Sequence, residues 1–276
     1  VVDIDTKKNE TASLFETTTL KYWLRFLKKV QYGPITGYSY QKTGDMIKTI
    51  DGGYIIVGDS QLGDWPDGPI SMFSLKIDSL GNKLWQKRYN YTVGNSTEIR
   101  IQQHTNGGYI ICGGNNLMKI TNEGDLVWHK KGDFMLEETF NGIAINQDGT
   151  IYTAGHAASD SSNNVVEALL SKYDANGHVI WRNRYSPTTR EQFYDIKLIA
   201  NNELLVAGTT SEPNADFWVL KLRGDGSIIW DKQYYGQGYA FPKHIIQTKE
   251  GKIVLTGYHL GTYSRTFLYV QMLDES

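Results

Sequence analysis

Short apolar runs alternate with glycine-marked polar turns along this chain, and the alternation repeats. The segment Asp51-Gly-Gly-Tyr-Ile-Ile-Val-Gly58 returns as Asn106-Gly-Gly-Tyr-Ile-Ile-Cys-Gly113 and as Asp148-Gly-Thr-Ile-Tyr-Thr-Ala-Gly155. It returns again as Asn201-Asn-Glu-Leu-Leu-Val-Ala-Gly208 and Glu250-Gly-Lys-Ile-Val-Leu-Thr-Gly257, so the closing glycines stand 55, 42, 53 and 49 residues apart. A second motif, Lys76-Ile-Asp-Ser-Leu-Gly-Asn-Lys-Leu-Trp85, recurs at Lys119–Trp128, Lys172–Trp181 and Lys221–Trp230, with glycines at Gly81, Gly124, Gly177 and Gly226. Apolar runs bounded by glycine turns read as strands, and the Asp-Gly or Asn-Gly pairs read as tight hairpin turns in which glycine takes positive φ. Each unit resolves into four strands. Strand A precedes the first turn, B carries the Tyr-Ile-Ile-Val-Gly run, C ends at the Lys-x-Asp motif, and D bears the tryptophan. Four-stranded units at this spacing are the signature of propeller blades, whereas leucine-rich solenoid rungs take roughly 20–30 residues. The pattern predicts an all-β, five-bladed β-propeller.

Five B motifs stand against four Trp motifs, so one strand D is missing from the C-terminal unit. Phe26-Leu-Lys28-Lys-Val-Gln-Tyr32-Gly33 aligns with Trp230-Asp-Lys232-Gln-Tyr-Tyr235-Gly236 after a one-residue shift. Residues 20–32 are therefore expected to pair with the strand near 267–273 and close the ring, removing an open sheet edge. The domain is expected to span 20–276, with 1–19, polar and without periodicity, as a flexible arm or linker. A tryptophan on each outer strand is expected to pack between blades, which makes Trp85 structural.

Composition narrows the partners. The 28 Lys+Arg and 30 Asp+Glu among 276 residues give a net charge of −2, which argues against nucleic acid or an anionic membrane as the main partner. No apolar run approaches the ~18 residues of a transmembrane helix. The single Cys112 excludes an intrachain disulfide and two-cysteine metal sites, and reads as a small buried hydrophobe. No secretory leader opens the chain, so an exported protein would be in its mature form, with lipid attachment upstream of Val1 as one route to the envelope.

The double motif Gly-Gly-Tyr-Ile-Ile-Val-Gly with Lys-x-Asp-x-x-Gly-Asn-x-x-Trp-x-Lys-x-Tyr resembles the repeats of exported Bacteroidetes propellers, lipoproteins or type IX secretion cargo. That resemblance spans about residues 20–276. It implies the fold and an extracytoplasmic location at the cell surface, and carries no catalytic set. The strand-D motif is also similar to that of quinone-dependent dehydrogenase propellers, but no cofactor pocket is located, and neither cofactor nor metal is expected.

Candidate chemistry falls into two groups. In a propeller the A–B and C–D turns share one face, here short and uniform, while the D–A and B–C loops share the other, here long and unequal. Loops on a rigid scaffold commonly carry function. The variable face is expected to present Trp65 in Gly63-Asp-Trp65-Pro-Asp-Gly68, with Tyr38, Tyr40, Tyr91, Phe193, Tyr194, Tyr239, Phe241, Tyr258 and Tyr263. Aromatic rings beside polar groups suit glycan or protein contact. Seven positions before each A–B turn stand Asp45, Arg100, Gly142, Asp195 and His244, and the next position is always apolar: Met46, Ile101, Ile143, Ile196, Ile245. The first set is expected to ring the channel mouth and to bind a polar ligand or ion.

Other motifs have plainer readings. Arg223-Gly-Asp225 lies in a C–D turn that every blade possesses. Asn9-Glu-Thr11, Asn90-Tyr-Thr92 and Asn95-Ser-Thr97 are glycosylation sequons of consequence only in a eukaryotic secretory host. Asp78-Ser79-Leu80 resembles the Bacteroidetes O-glycosylation site. No nucleophile elbow, phosphate loop or His-Glu-x-x-His occurs. The favoured expectation is a non-catalytic extracytoplasmic module holding a glycan or partner protein. The alternatives are a glycan-active hydrolase with paired carboxylates such as Asp45 and Asp195 at the channel mouth, and a scaffold subunit of a cell-envelope complex.

Overall fold

The computed structural model describes residues 38–62, 70–92, 98–132, 138–158, 165–186, 190–210, 216–234, 239–260 and 266–273. They form five antiparallel sheets in a propeller arrangement, each built from consecutive strands. Blade 1 comprises β1 (Tyr38–Lys48), β2 (Tyr54–Leu62), β3 (Ile70–Ile77) and β4 (Lys83–Thr92). Blade 2 comprises β5 (Arg100–Gln103), β6 (Tyr109–Gly113), β7 (Asn116–Ile120) and β8 (Leu126–Lys131). Blade 3 has β9 (Thr139–Ile145), β10 (Ile151–Ala158), β11 (Val166–Tyr173) and β12 (Val179–Tyr185). Blade 4 has β13 (Gln192–Leu198), β14 (Glu203–Thr210), β15 (Asp216–Arg223) and β16 (Ile228–Tyr234). Blade 5 is described through three strands, β17 (Tyr239–Gln247), β18 (Ile253–Leu260) and β19 (Thr266–Leu273). The closing strand expected at residues 20–32, and the arm at 1–19, lie outside the described residues.

The turns are three-residue loops rather than two-residue ones. Gly52 N–H donates to Thr49 C=O while Thr49 N–H donates to Gly53 C=O, and the same pair of bonds recurs at Asp78, Gly81 and Asn82 in the C–D turn. The third loop residue takes positive φ, glycine at +84° in Gly52; in blade 4 Asn202 stands at that position and Asn201 before it is also positive.

The B strands of blades 2, 3 and 4 are buried on both faces, because alternate residues of a strand belong to two different cores. Leu204 and Val206 pack toward blade 3 with Trp218 and Phe193, while Leu205 and Ala207 pack toward blade 5 with Ile245 and Leu255. This is why the B strands read as unbroken apolar runs. The Trp-x-Lys-x-Tyr motif of strand D grips the C–D turn of the following blade. Trp85 Nε1 donates to Asn122 C=O at 3.1 Å, Lys87 Nζ bonds Asp125 at 2.8 Å, and Tyr89 OH donates to Gly124 C=O at 2.9 Å. A Cβ on Gly124 would meet the Trp85 ring at 2.7 Å, so ring and glycine fit only as a pair; Trp128 covers Gly177 and Trp181 covers Gly226 in the same way. The repeat lysine braces the turns from inside. Lys76, 2% exposed, bonds Thr49 and Asp51, and it leads the contacts that hold the Asp51 carboxyl down at about 2.

Strand C is covered in the other blades but open in blade 5. Leu268, Val270 and Met272 are 84%, 63% and 60% exposed, against wholly buried counterparts in β3. Met46, which occupies the repeat position of Ile101, Ile143, Ile196 and Ile245, is 57% exposed, whereas those four are at most 2% exposed.

Candidate functional site

A β-bulge builds the centre of the molecule. Strand A shifts register between Thr43 and Asp45, Phe193 and Asp195, and Pro242 and His244, and opposite Ala154 and Gly155 in blade 3. The extra residues are Gly44, Tyr194, Lys243 and Asn141. A bulge re-aims the side chains beside it, and it also explains the closing glycine of the B motif. The bulge drives a strand-A carbonyl against strand B, so a Cβ at Gly58, Gly155 or Gly257 would overlap the carbonyl oxygen of Lys42, Thr139 or Phe241.

The five ring positions, four of them just after the bulge, lie in one register. Asp45 pairs with Val57, Arg100 with Cys112, Gly142 with Ala154, Asp195 with Ala207 and His244 with Thr256. They sit within the strands, not at the variable-loop mouth. The two aspartates make the same pair of bonds to backbone N–H groups. Asp45 accepts from Met46 N–H (2.8 Å) and from Ile101 N–H of the next blade (3.1 Å). Asp195 accepts from Ile196 N–H (2.9 Å) and from Ile245 N–H of the next blade (3.1 Å). Between them in sequence, Gln102 donates to Ile143 C=O and Asn141 to Phe193 C=O, both at 2.8 Å. One strand-A side chain thus ties each of the four described seams to the following blade. Gly142 has no side chain because a Cβ there would meet the Asp195 backbone at 3.1 Å.

Charges gather around this ring. The Asp195 side chain is 2% exposed, with Lys197 Nζ at 3.0 Å and His244 Nδ1 at 3.8 Å. Burial works to raise its pKa, but the partners His244, Lys197 and Ile245 N–H outweigh burial and hold the carboxyl below its ordinary range. Arg100, its side chain 9% exposed, pairs with Glu98 at 2.8 Å and donates to Lys243 C=O at 3.3 Å. Lys243 closes a second ion pair on Glu98. Burial pushes Glu98 upward, and these cations more than reverse it.

On the loop side of the ring, Phe241 and Tyr258 stack at 5.1 Å and Tyr194 meets Phe241 edge-on at 6.3 Å. Lys243 Nζ lies 5.7 Å from the Tyr194 ring and 5.6 Å from the Tyr258 ring, within cation–π reach. All three rings are half-buried, and burial pushes the Tyr194 hydroxyl up to about 12. On the turn side, a cavity of about 370 Å³ is lined by Asp45, Lys48, Arg100, Gln103, Lys197 and His244, among others.

Comparison with known proteins adds the fold. No family model matches the chain, and no curated protein matches it. Among solved structures, a protein of unknown function from Dyadobacter fermentans is 11% identical with TM-score 0.57, over 85% of this chain and 79% of its own. The Pan2 WD40 domain of Neurospora crassa is 15% identical with TM-score 0.56, over 85% of this chain but only 63% of its own. A glucose dehydrogenase is 11% identical with TM-score 0.52, covering 82% and 80%. The chain is a β-propeller. Identities this low show the fold alone, and that fold serves both enzymes and non-enzymes.

The residues singled out from the sequence divide accordingly. Asp45, Arg100, Asp195 and His244 come together around the channel, and Tyr194 joins an aromatic group with Phe241 and Tyr258. Phe193, expected on the variable face, is fully buried, stacked on Trp218 at 5.2 Å. Trp65 and Tyr263 lie outside the described residues, and Tyr40 and Tyr239 are placed by backbone only, opposite Gln61 and Leu260. Lys48, Glu98, Lys197 and Lys243 were not read from the sequence; the position just before each ring residue was the available signal for Lys243. Burial pushes the Cys112 thiol up to about 12, which leaves it inert. Arg223-Gly-Asp225 is fixed by its turn: Asp225 accepts from Ser227 N–H at 2.9 Å, and Gly224 C=O from Tyr152 OH at 3.2 Å. Among the described residues no group of three or more His, Cys, Asp or Glu is placed to hold a metal ion. Nor is any helix among them long and apolar enough to cross a membrane.

Proposed function

We propose that this propeller is a non-catalytic binding module that works outside the cytoplasm and holds a glycan on its variable-loop side. The observation that carries the reading is the half-buried aromatic group Tyr194, Phe241 and Tyr258 beside the Lys243–Glu98 ion pair. Sugar rings present apolar faces to stack on such rings and hydroxyls to bond such charges. The ring carboxylates argue against hydrolysis. A glycosidase needs one carboxyl protonated and the other free to attack or activate water. Asp195 is held ionised, and both oxygens of Asp45 and of Asp195 face backbone N–H groups. The extracytoplasmic location rests on the likeness of the repeats to exported Bacteroidetes propellers. An envelope complex or a partner protein is the competing occupant of the same face.

A glycan array read beside a turnover assay tests this. The expected result is binding without product, weakened about 30-fold by Tyr258→Ala, as for an aromatic anchor contributing about 2 kcal/mol. Turnover that Asp45→Asn or Asp195→Asn abolishes would instead establish the hydrolase. Capture of a protein with no glycan bound would establish the assembly role.

A further inference from the structure

We propose that the channel cavity on the turn side of the ring binds a small carboxylate anion, supplied by an acidic sugar residue such as a uronic acid. This rests on the glycan-binding reading and adds the ligand chemistry of the charged residues across the ring from the aromatic group. The cavity, about 370 Å³, falls in the lower part of the roughly 300–1,000 Å³ range of small-molecule sites. Its charge is unbalanced toward the cation. Lys48, Arg100 and Lys197 line it, against Asp45 in the lining and Asp195 beside Lys197, one positive charge in excess among these Lys, Arg and Asp side chains.

The hydrogen-bonding capacity is unbalanced in the same sense. The carboxylates of Asp45 and Asp195 are turned to backbone N–H groups. Gln103 turns its amide oxygen to Ile50 N–H, which leaves its amide nitrogen as a donor. Lys48 lines the cavity and has no hydrogen bond or ion pair among the described residues. Arg100 is held rigid by Glu98 and the Lys243 carbonyl, so its charge is fixed in place before any ligand arrives. A cavity rich in donors and carrying one surplus positive charge fits a monoanion better than a neutral sugar or a phosphate dianion.

The test is calorimetric titration of the whole chain with glucuronate, glucose, acetate and inorganic phosphate, in wild type, Lys48→Gln and Tyr258→Ala. Lys48 is exposed, so its replacement leaves the fold intact. Glucuronate should bind and glucose should not. Lys48→Gln should weaken glucuronate about tenfold, as loss of one charge-assisted contact does, and raised salt should weaken it further. No glucuronate binding, or binding that Lys48→Gln leaves unchanged, would overturn the proposal. Acetate or phosphate binding as tightly as glucuronate would overturn its sugar part. Neutral glycans that bind through Tyr258 while glucuronate does not bind at all would sink this inference and leave the binding-module reading standing.

Discussion

Replacing Asp195 by alanine removes a buried carboxylate together with its bonds to Ile196 N–H, Ile245 N–H and Lys197 and its contact with His244. The Ile196 and Ile245 backbone donors would be left buried and unpaired, each costing about 1–3 kcal/mol. Lys197 and His244 are partly exposed and recover hydration, so they add little. The total is about 3 kcal/mol, and at about 2–4 °C per kcal/mol for a domain of this size the melting temperature should fall by about 9 °C. Asp45→Ala breaks the equivalent bonds, but Met46 N–H lies in an exposed residue and can turn to water, so about half that loss is expected. The pH dependence has a definite sign. The Asp195 pKa is depressed in the folded state, so its stabilisation is present above the unfolded value near 3.9 and is lost as pH falls through the folded value. Denaturant unfolding from pH 7 to pH 3 should therefore show wild type and Asp195→Ala converging on acidification. A loss under about 1 kcal/mol at pH 7, or a gap that widens in acid, would refute the staple.

Gly155→Ala should destabilise the protein by more than about 3 kcal/mol, because its Cβ would overlap the Thr139 carbonyl. Gly52→Ala, which meets only positive φ and open space, should lose about 1 kcal/mol; equal losses in denaturant melts would remove the bulge explanation of the repeat glycine. Deleting residues 1–33 should leave the β19 edge unpaired, lower the melting temperature and cause aggregation, whereas a monomeric truncation with unchanged stability would mean that residues 20–32 do not close blade 5. Trp85→Ala should lower the melting temperature by several degrees while sparing ligand binding, since its ring covers Gly124. Trp65→Ala should do the reverse, and comparable destabilisation by both would make Trp65 a packing residue.

Much of the fold was legible because its geometry dictates residue types. A three-residue hairpin needs positive φ at its third residue, and glycine or asparagine supplies it at Gly52, Gly81 and Asn202. Strands buried on both faces must be apolar at every position, which made the B runs conspicuous. The regular spacing of Trp85, Trp128, Trp181 and Trp230 was likewise readable, although the Lys and Tyr of that motif were not recognised as grips on the next turn. Partners far apart in sequence were hidden. Asp45 bonds an N–H 56 residues away and Asp195 one 50 residues away, so the inter-blade ties that these two residues make were not readable from the sequence. Phe193 was misplaced because the bulge at Tyr194 changes which side chain faces the core, and the mark that the bulge leaves, the closing glycine of the B motif, lies on the neighbouring strand. The ring register, by contrast, followed directly from counting back from the turns.

The central claim, that this propeller binds a glycan and leaves it intact, is tested most directly by NMR of the labelled protein with a bound glycan followed for several days. One sample reports both the contact surface and the fate of the sugar. The account predicts shift changes centred on Tyr194, Phe241 and Tyr258, extending to Lys48 and Arg100 when the sugar is acidic, with glycan signals unchanged throughout. New reducing-end signals that grow with time, or shift changes confined to the turn tips around Asp78, Asp174 and Asp225, would contradict it.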